Sequence, residues 1–544
     1  MYAKALPASA LALACVSLAS IAPAADWAQF GYDAAHSGNN TAEDAIGRAN
    51  VAQLVPLYPA PVTLPAIVDG ALVYAAGVAT PDGNRNLLFG FGTDTSFDSM
   101  PATGTVFAMD ADTGELLWSQ TTTGLQHASS SPAIDPDRQY VYSFGLDGFA
   151  HKYRIGDGTE IVTGVGGWPV AVTLKPEVEK VAGSLTIASS GGNDYLEVVT
   201  NGYDGDFGDY QGHLVSIDLA SGASTVFNMM CSNLEQLFVN MGVNGVNDCY
   251  WGANPDNDNH PYGQQSGIWG RGGATFDAAT GRIYVASGNG DFGNDNPQTS
   301  GGFDWGDTVL ALNPDGSGSA VGVPIDSYTP VDFEDLNNHD LDLGSTSLAI
   351  LPAPPGSAVA HLGVQVGKDT MLRLLDLDDM SGQGAPAHAG GELQLLPVPQ
   401  GSYLNVTLSE QPAVWTDPGD GSTWLFVASN TGLSGLQLAL DADQQPQLAT
   451  RWTSLVPAKS PIVANGVLYA ASGICHSDTC NLVALDPTTG SVLWTSPDLG
   501  WLHWQSPILV DGAIYITDRS GALWKFGLPQ PVDDLFSDGF DGNP

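Results

Sequence analysis

Positive charge is scarce in this 544-residue chain: 16 Lys and Arg stand against 59 Asp and Glu, a formal net charge of −43. A nucleic-acid binder needs cations against phosphate, so DNA and RNA are poor partners, and an anionic membrane surface would repel the chain. Long apolar runs are lacking as well. Beyond the first 25 residues no stretch approaches the roughly 20 apolar residues that a membrane-spanning helix needs, so no transmembrane segment is expected. Cysteine is sparse, with five in all. No two are adjacent, Cys475-His476 lacks the spacing of a haem-attachment motif, and no His/Cys spacing supports a zinc site.

What the chain does have is glycine and apolar residues. It carries 66 Gly, 35 Pro and 13 Trp, with 43% apolar residues. That content can bury a sizeable core, and glycine set beside β-branched runs favours many short strands with tight turns. Residues 1–25 hold one cation, Lys4, then an apolar stretch over 8–21, then Ala22-Pro23-Ala24-Ala25. This is the layout of a signal peptide, so the mature protein is expected to be exported, to the periplasm or beyond. Cys15 falls within that leader. The four remaining cysteines, an even count in an exported chain, suggest two local disulfides, Cys231–Cys249 and Cys475–Cys480.

The chain repeats itself. Near its end, Ser460-Pro461-Ile462-Val463, Val467-Leu468-Tyr469-Ala470 and Leu482-Val483-Ala484-Leu485 are followed by Ser506-Pro507-Ile508-Leu509, Ala513-Ile514-Tyr515-Ile516 and Ala522-Leu523-Trp524-Lys525. Apolar runs separated by Asp-Gly, Asn-Gly or Thr-Gly read as antiparallel strands in hairpins. Counting backwards, inner strands are expected near 72–75, 140–144, 196–200, 283–286, 362–366, 424–428, 467–470 and 514–517. Their partners are expected near 106–110, 149–154, 214–218, 309–313, 371–376, 436–440, 482–486 and 523–526. Eight such pairs predict an all-β, eight-bladed β-propeller of four-stranded antiparallel blades. The last blade has only three strands, and the spare run 54–58 is expected to close the ring as its outer strand. The domain plan is thus a signal peptide over 1–25, a propeller over 26–528 and an acidic tail over 529–544.

Two segments make the repeat specific. Ala108-Met109-Asp110-Ala111-Asp112-Thr113-Gly114 with Trp118, and Ala484-Leu485-Asp486-Pro487-Thr488-Thr489-Gly490 with Trp494, resemble the tryptophan-docking repeats of quinoprotein propellers. In that family the tryptophan packs between blades and the glycine permits the turn. The opening Trp27-Ala28-Gln29-Phe30-Gly31-Tyr32-Asp33, with His36-Ser37-Gly38, resembles the family's mature N-terminus.

The resemblance implies a site in which pyrroloquinoline quinone (PQQ) stacks on a tryptophan beside Ca²⁺, a cation and a carboxylate base. Trp269, in Gly267-Ile268-Trp269-Gly270, falls where the family places its stacking ring. Asn289, in Ser287-Gly288-Asn289-Gly290, falls where it places an amide ligand of Ca²⁺. Asp206, in Gly205-Asp206-Phe207-Gly208, stands where the family has an acidic ligand, usually Glu; a hard cation accepts either carboxylate. Lys368, in Val366-Gly367-Lys368-Asp369, resembles the residue that hydrogen-bonds the quinone oxygens. Asp332 best fits the spacing of the catalytic base, with Asp326, Asp340 and Asp342 as rivals. The paired cysteines that cover the quinone in many alcohol dehydrogenases of the family are missing, and Gln126-His127-Ala128 stand in that region.

The implied activity is oxidation of an alcohol or polyol. No cytochrome module is fused, so such an enzyme would pass its electrons to a separate acceptor. The family also contains cofactor-free propellers. The alternative is therefore a scaffold that binds a protein or polymer at the cell envelope, through its insertions at 229–265 and 291–307.

Overall fold

Short apolar runs set off by glycine turns cannot bury both faces alone, so they pair into small sheets and the sheets pack on one another. The computed structural model describes residues 26–94, 101–125, 127–203, 208, 210–238, 265–294, 302–399, 410–472 and 480–529. Within them the chain folds as an eight-bladed β-propeller of antiparallel four-stranded blades. The first blade is Val73–Thr80, Gly83–Thr93, Ala102–Asp110 and Leu116–Gly124. The fourth is Thr275–Asp277, Arg282–Ala286, Val309–Leu312 and Asp326–Tyr328; the fifth is Ala349–Leu351, Leu362–Val366, Met371–Asp376 and Gln394–Pro397. The eighth has Ile508–Val510, Ala513–Thr517 and Ala522–Gly527.

The ring closes as expected. Val55–Pro56 runs antiparallel to the last strand, Val55 opposite Gly527 and Pro56 opposite Phe526, and completes the eighth blade from the N-terminal side. The docking tryptophans also lie where the repeat places them. Trp118 donates its indole N–H to Ile155 O at 3.0 Å and covers Gly158 of the next blade. Trp452 does the same with Pro487 O at 2.8 Å and Gly490. Trp494 donates to Leu54 O at 3.1 Å, tying the seventh blade to the closing segment.

Two strand expectations need correction. In seven blades the runs read as innermost are the second strands. The first strands around the axis are only two to seven residues long there, too short to show a pattern. In the first blade, 72–75 and 106–110 are not neighbours, because Gly83–Thr93 lies between them. Its polar start, Asn84-Arg85-Asn86, hides the apolar half that follows.

The opening segment contacts these first strands in chain order. Trp27 pairs with Tyr74 of the first blade, Ala28 O accepts from Ile134 N of the second, and Gln29 Oε1 accepts from Ile187 N of the third. Ala34 O then accepts from Phe276 N of the fourth, Ser37 O from Val414 N of the sixth, and Gly38 O from Val463 N of the seventh. Asn40 finally donates its side-chain amide to Leu509 O of the eighth at 2.7 Å. At its centre the buried His36 bonds Phe30 O through Nδ1 and faces Thr186 Oγ1 and Ala274 O through Nε2.

Candidate functional site

Antiparallel alternation puts the start of every first strand and the end of every second strand at the same end of the ring. Trp269 lies in the lead-in to the fourth blade, Asn289 just after that blade's second strand, and Lys368 just after the second strand of the fifth. Between these blades the chain makes its one α-helix among the described residues, Phe333–Asn338, then turns back through Asp340 and Asp342.

These residues meet. The Lys368 ammonium lies 5.1 Å from the centre of the half-buried Trp269 ring. It is paired with Asp340 Oδ1 at 2.9 Å and with Asp342 Oδ2. Asn289 donates its backbone N–H to Asp342 Oδ1 at 2.8 Å and its side-chain amide to Asp340 Oδ1 at 2.9 Å. Burial opposes the charge on Lys368, but Asp342 and then Asp340 outweigh it and hold the amine protonated. The two carboxylates differ in access: the Asp342 side chain is 9% exposed and that of Asp340 74%.

The backbone makes room for this cluster. A Cβ on Gly288 would meet Asp342 Oδ1 at 2.1 Å and Trp269 Nε1 at 3.2 Å, so no larger residue fits. A Cβ on Gly306 would run into the backbone of Gly290 at 2.1 Å. The next residue, Asp307, is fully buried. Burial, then the charge of Asp342, pushes its carboxyl well above the usual range. Below Lys368, Asp369 and the buried Arg373 form a two-pronged pair, Nη1 to Oδ1 at 3.2 Å and Nη2 to Oδ2 at 2.5 Å.

Oxygen donors for a hard cation are present. Asn289 Oδ1 is buried with no hydrogen-bond partner, and two carboxylates lie within hydrogen-bond reach of the same residue. A buried amide oxygen left without a donor suits a cation that accepts oxygen ligands. Among the described residues no three His, Cys, Asp or Glu side chains gather into a metal-binding group of their own. Such a site would need the Asn289 amide oxygen.

Across the axis lies a second polar cluster that the sequence reading did not pick out. Arg271, buried two residues after Trp269, donates to Asp69 O at 3.2 Å, to Ser129 O at 3.5 Å and to Trp504 O. It thereby links the lead-ins of the fourth, first, second and eighth blades. Asp69 pairs with His503 Nδ1 at 2.9 Å and Arg519 Nη1 at 3.3 Å. Burial works against its ionisation, but His503, Arg519 and Arg271 prevail and hold its carboxyl at about 2.

The remaining sequence candidates fall elsewhere. Asp332 is exposed at the start of Phe333–Asn338, where its charge acts on Arg373. Asp326 accepts from Met380 N at 2.6 Å, on the fifth blade. Asp206, Cys249, Cys475, Gln126, residues 1–25 and the chain beyond Pro529 lie outside the described residues, as do residues 239–264 and 295–301 of the two insertions. Cys231 and Cys480 are buried. No helix among the described residues is long and apolar enough to cross a membrane.

No family model and no curated protein matches the chain by sequence. Solved structures match it in fold. A quinohemoprotein alcohol dehydrogenase from Comamonas testosteroni aligns with a TM-score of 0.57 at 15% identity, over 94% of this chain and 81% of its own. Another from Pseudomonas putida HK5 gives 0.56 at 13% identity, over 94% and 82%. A europium-containing methanol dehydrogenase gives 0.57 at 15% identity, over 90% and 89%. In fold this chain is similar to these eight-bladed propellers.

Proposed function

We propose that the protein is an exported oxidoreductase that acts on an alcohol or polyol with PQQ and a divalent cation such as Ca²⁺. One observation carries the reading: Lys368, Trp269, Asn289, Asp340 and Asp342, drawn from two blades, gather at one end of the axis. The solved propellers named above are alcohol and methanol dehydrogenases, which agrees with this reading.

When bound, PQQ would supply the two-electron acceptor and the cation the Lewis acid. Trp269 would give the planar platform, and Lys368 the hydrogen bonds to anionic oxygens. Asn289 Oδ1 and Asp342 would hold the cation, with Asp206 as a further ligand. A general base must reach the substrate hydroxyl, and Asp340 is the accessible carboxylate of the pair. We assign it that role in place of Asp332, with Asp342 as its buried anchor. The proton of the substrate hydroxyl would pass to an Asp340 carboxylate oxygen.

The test is reconstitution with PQQ and Ca²⁺, followed by gel filtration and dye reduction over a panel of alcohols. Quinone absorbance that stays with the protein, and dye reduction lost in Lys368→Ala and Asp340→Asn, are expected. Quinone that elutes free would overturn the reading and leave the cofactor-free scaffold, which binds a protein or polymer partner.

A further inference from the structure

We infer that Asp307 is a positioning residue that sets the spacing between Asn289 and Asp342; the inference rests on the cation-site reading above. Asp307 touches both sides of that site through one residue's atoms. Its backbone N–H donates to Gly288 O at 2.9 Å, one residue before Asn289. Its side-chain Oδ1 accepts from Leu343 N at 2.9 Å, one residue after Asp342. The fourth blade and the lead-in to the fifth are thereby clamped next to the two groups that share the Asn289–Asp342 hydrogen bond.

The clamp is held under strain. Asp307 has φ +45°, in the left-handed region that a non-glycine residue seldom occupies, and such strain persists only where the surroundings enforce it. The enforcing contacts are close at hand. Gly306 lies against the backbone of Gly290, and Gly306 N donates to Asp291 O at 2.7 Å. Thr308 N donates to Ser287 Oγ at 3.0 Å, so both flanks of Asp307 are fixed to the segment that carries Asn289. The side chain is fully buried and its Oδ2 has no hydrogen-bond partner. A side chain kept for packing alone would be apolar here, since burying a polar group with one atom unpaired is costly. What Asp307 supplies is an acceptor at a fixed distance from two backbones.

The role is one of geometry, so the isosteric amide should serve as well as the acid. Asp307→Asn keeps an oxygen for Leu343 N, while Asp307→Ala removes it. The experiment strips the protein with EDTA and follows the melting temperature as Ca²⁺ is added back. For the wild type a rise is expected. Asp307→Asn should reach half its rise within twofold of the wild-type Ca²⁺ concentration, and Asp307→Ala should need at least tenfold more. If the alanine variant does not fold, Asp307→Ser replaces it, its hydroxyl ending one bond short of the Asp oxygen.

The outcomes separate cleanly. A wild type indifferent to Ca²⁺ overturns the cation site and this inference together. A wild type that responds while the alanine or serine variant matches it overturns the clamp and leaves the cation site standing. An asparagine variant as impaired as alanine would make the charge, not the geometry, the contribution of Asp307, and would overturn the inference as well.

Discussion

Asn289 and Asp342, 53 residues apart, are joined by a 2.8 Å hydrogen bond from a backbone N–H to a carboxylate oxygen. The bond crosses from the end of a strand in the fourth blade to the lead-in of the fifth. The angle between these two blades and the geometry of the candidate site are therefore fixed by the same atoms. Changes at the site should be felt in stability as well as in chemistry.

Lys368 is the first place to look. Its ammonium faces Asp340 and Asp342, and removing it leaves two carboxylates without a counter-charge. Lys368→Met is expected to cost about 2 kcal/mol or more, because breaking a partly buried pair from one side strands the other charge. Lys368→Arg should recover most of the loss. Urea unfolding of the three proteins decides it, and a methionine variant as stable as the wild type would contradict the pairing.

Arg271 makes a stability prediction independent of any ligand. Its guanidinium serves three backbone carbonyls on three other lead-ins. Arg271→Met would leave the buried Asp69 and Ser129 carbonyls unpaired, at about 1–3 kcal/mol each, so a loss of about 2 kcal/mol or more is expected. Thermal melting in EDTA, where no cation contributes, should show it. An unchanged midpoint would mean that the carbonyls find other donors.

His151 should make stability depend on pH. Its ring lies between Glu160, 2.7 Å from Nδ1, and Asp147, 3.1 Å from Nε2. Burial lowers its proton affinity, but the two carboxylates more than reverse this and raise the pKa above the ordinary value of 6.5. A folded pKa above the unfolded one gives stability that is complete below the unfolded value and fades as pH rises through the folded value. The wild type should thus lose stability as pH climbs past about 6.5, while His151→Gln should lack that part of the slope. Parallel curves for the two proteins would refute it.

The cysteines can be settled by mass spectrometry of a non-reduced digest. Peptides joining Cys231 to Cys249 and Cys475 to Cys480 are expected. Free thiols, or a link between the two regions, would contradict local pairing.

How much of this was legible in the residues varies with the kind of information needed. The ring and its closure were, because Asp110-Ala111-Asp112-Thr113-Gly114 and its counterpart at 486–490 repeat a turn whose glycine lies under or beside a packed side chain. That Trp269, Asn289 and Lys368 lie at one end of the ring could be read from the chain, because Trp269 precedes a first strand while Asn289 and Lys368 each follow a second one. The base could not. Asp326, Asp332, Asp340 and Asp342 share one connection, and only the six-residue helix Phe333–Asn338 decides which of them turn toward Lys368. Six residues are too few to show a helical period. Asp307 was hidden for another reason: its role depends on two backbones touching at Gly306 and Gly290, and no pattern in the chain reports such an approach.

The opening segment has a bearing on how the molecule is made. Residues 27–40 bond to first strands from Tyr74 to Leu509, and Val55–Pro56 waits for Ala522–Gly527. A chain growing from its N-terminus therefore carries residues 27–56 without most of their partners until nearly all the rest exists. Early blades can form in order, but the ring cannot shut before residue 527 arrives. Shutting is then a late, long-range event of the slow kind, with large loop-closure entropy behind it. A chain cut short before the eighth blade keeps an open sheet edge and an unused N-terminal strand, which marks it as incomplete to any machinery that senses unpaired backbone.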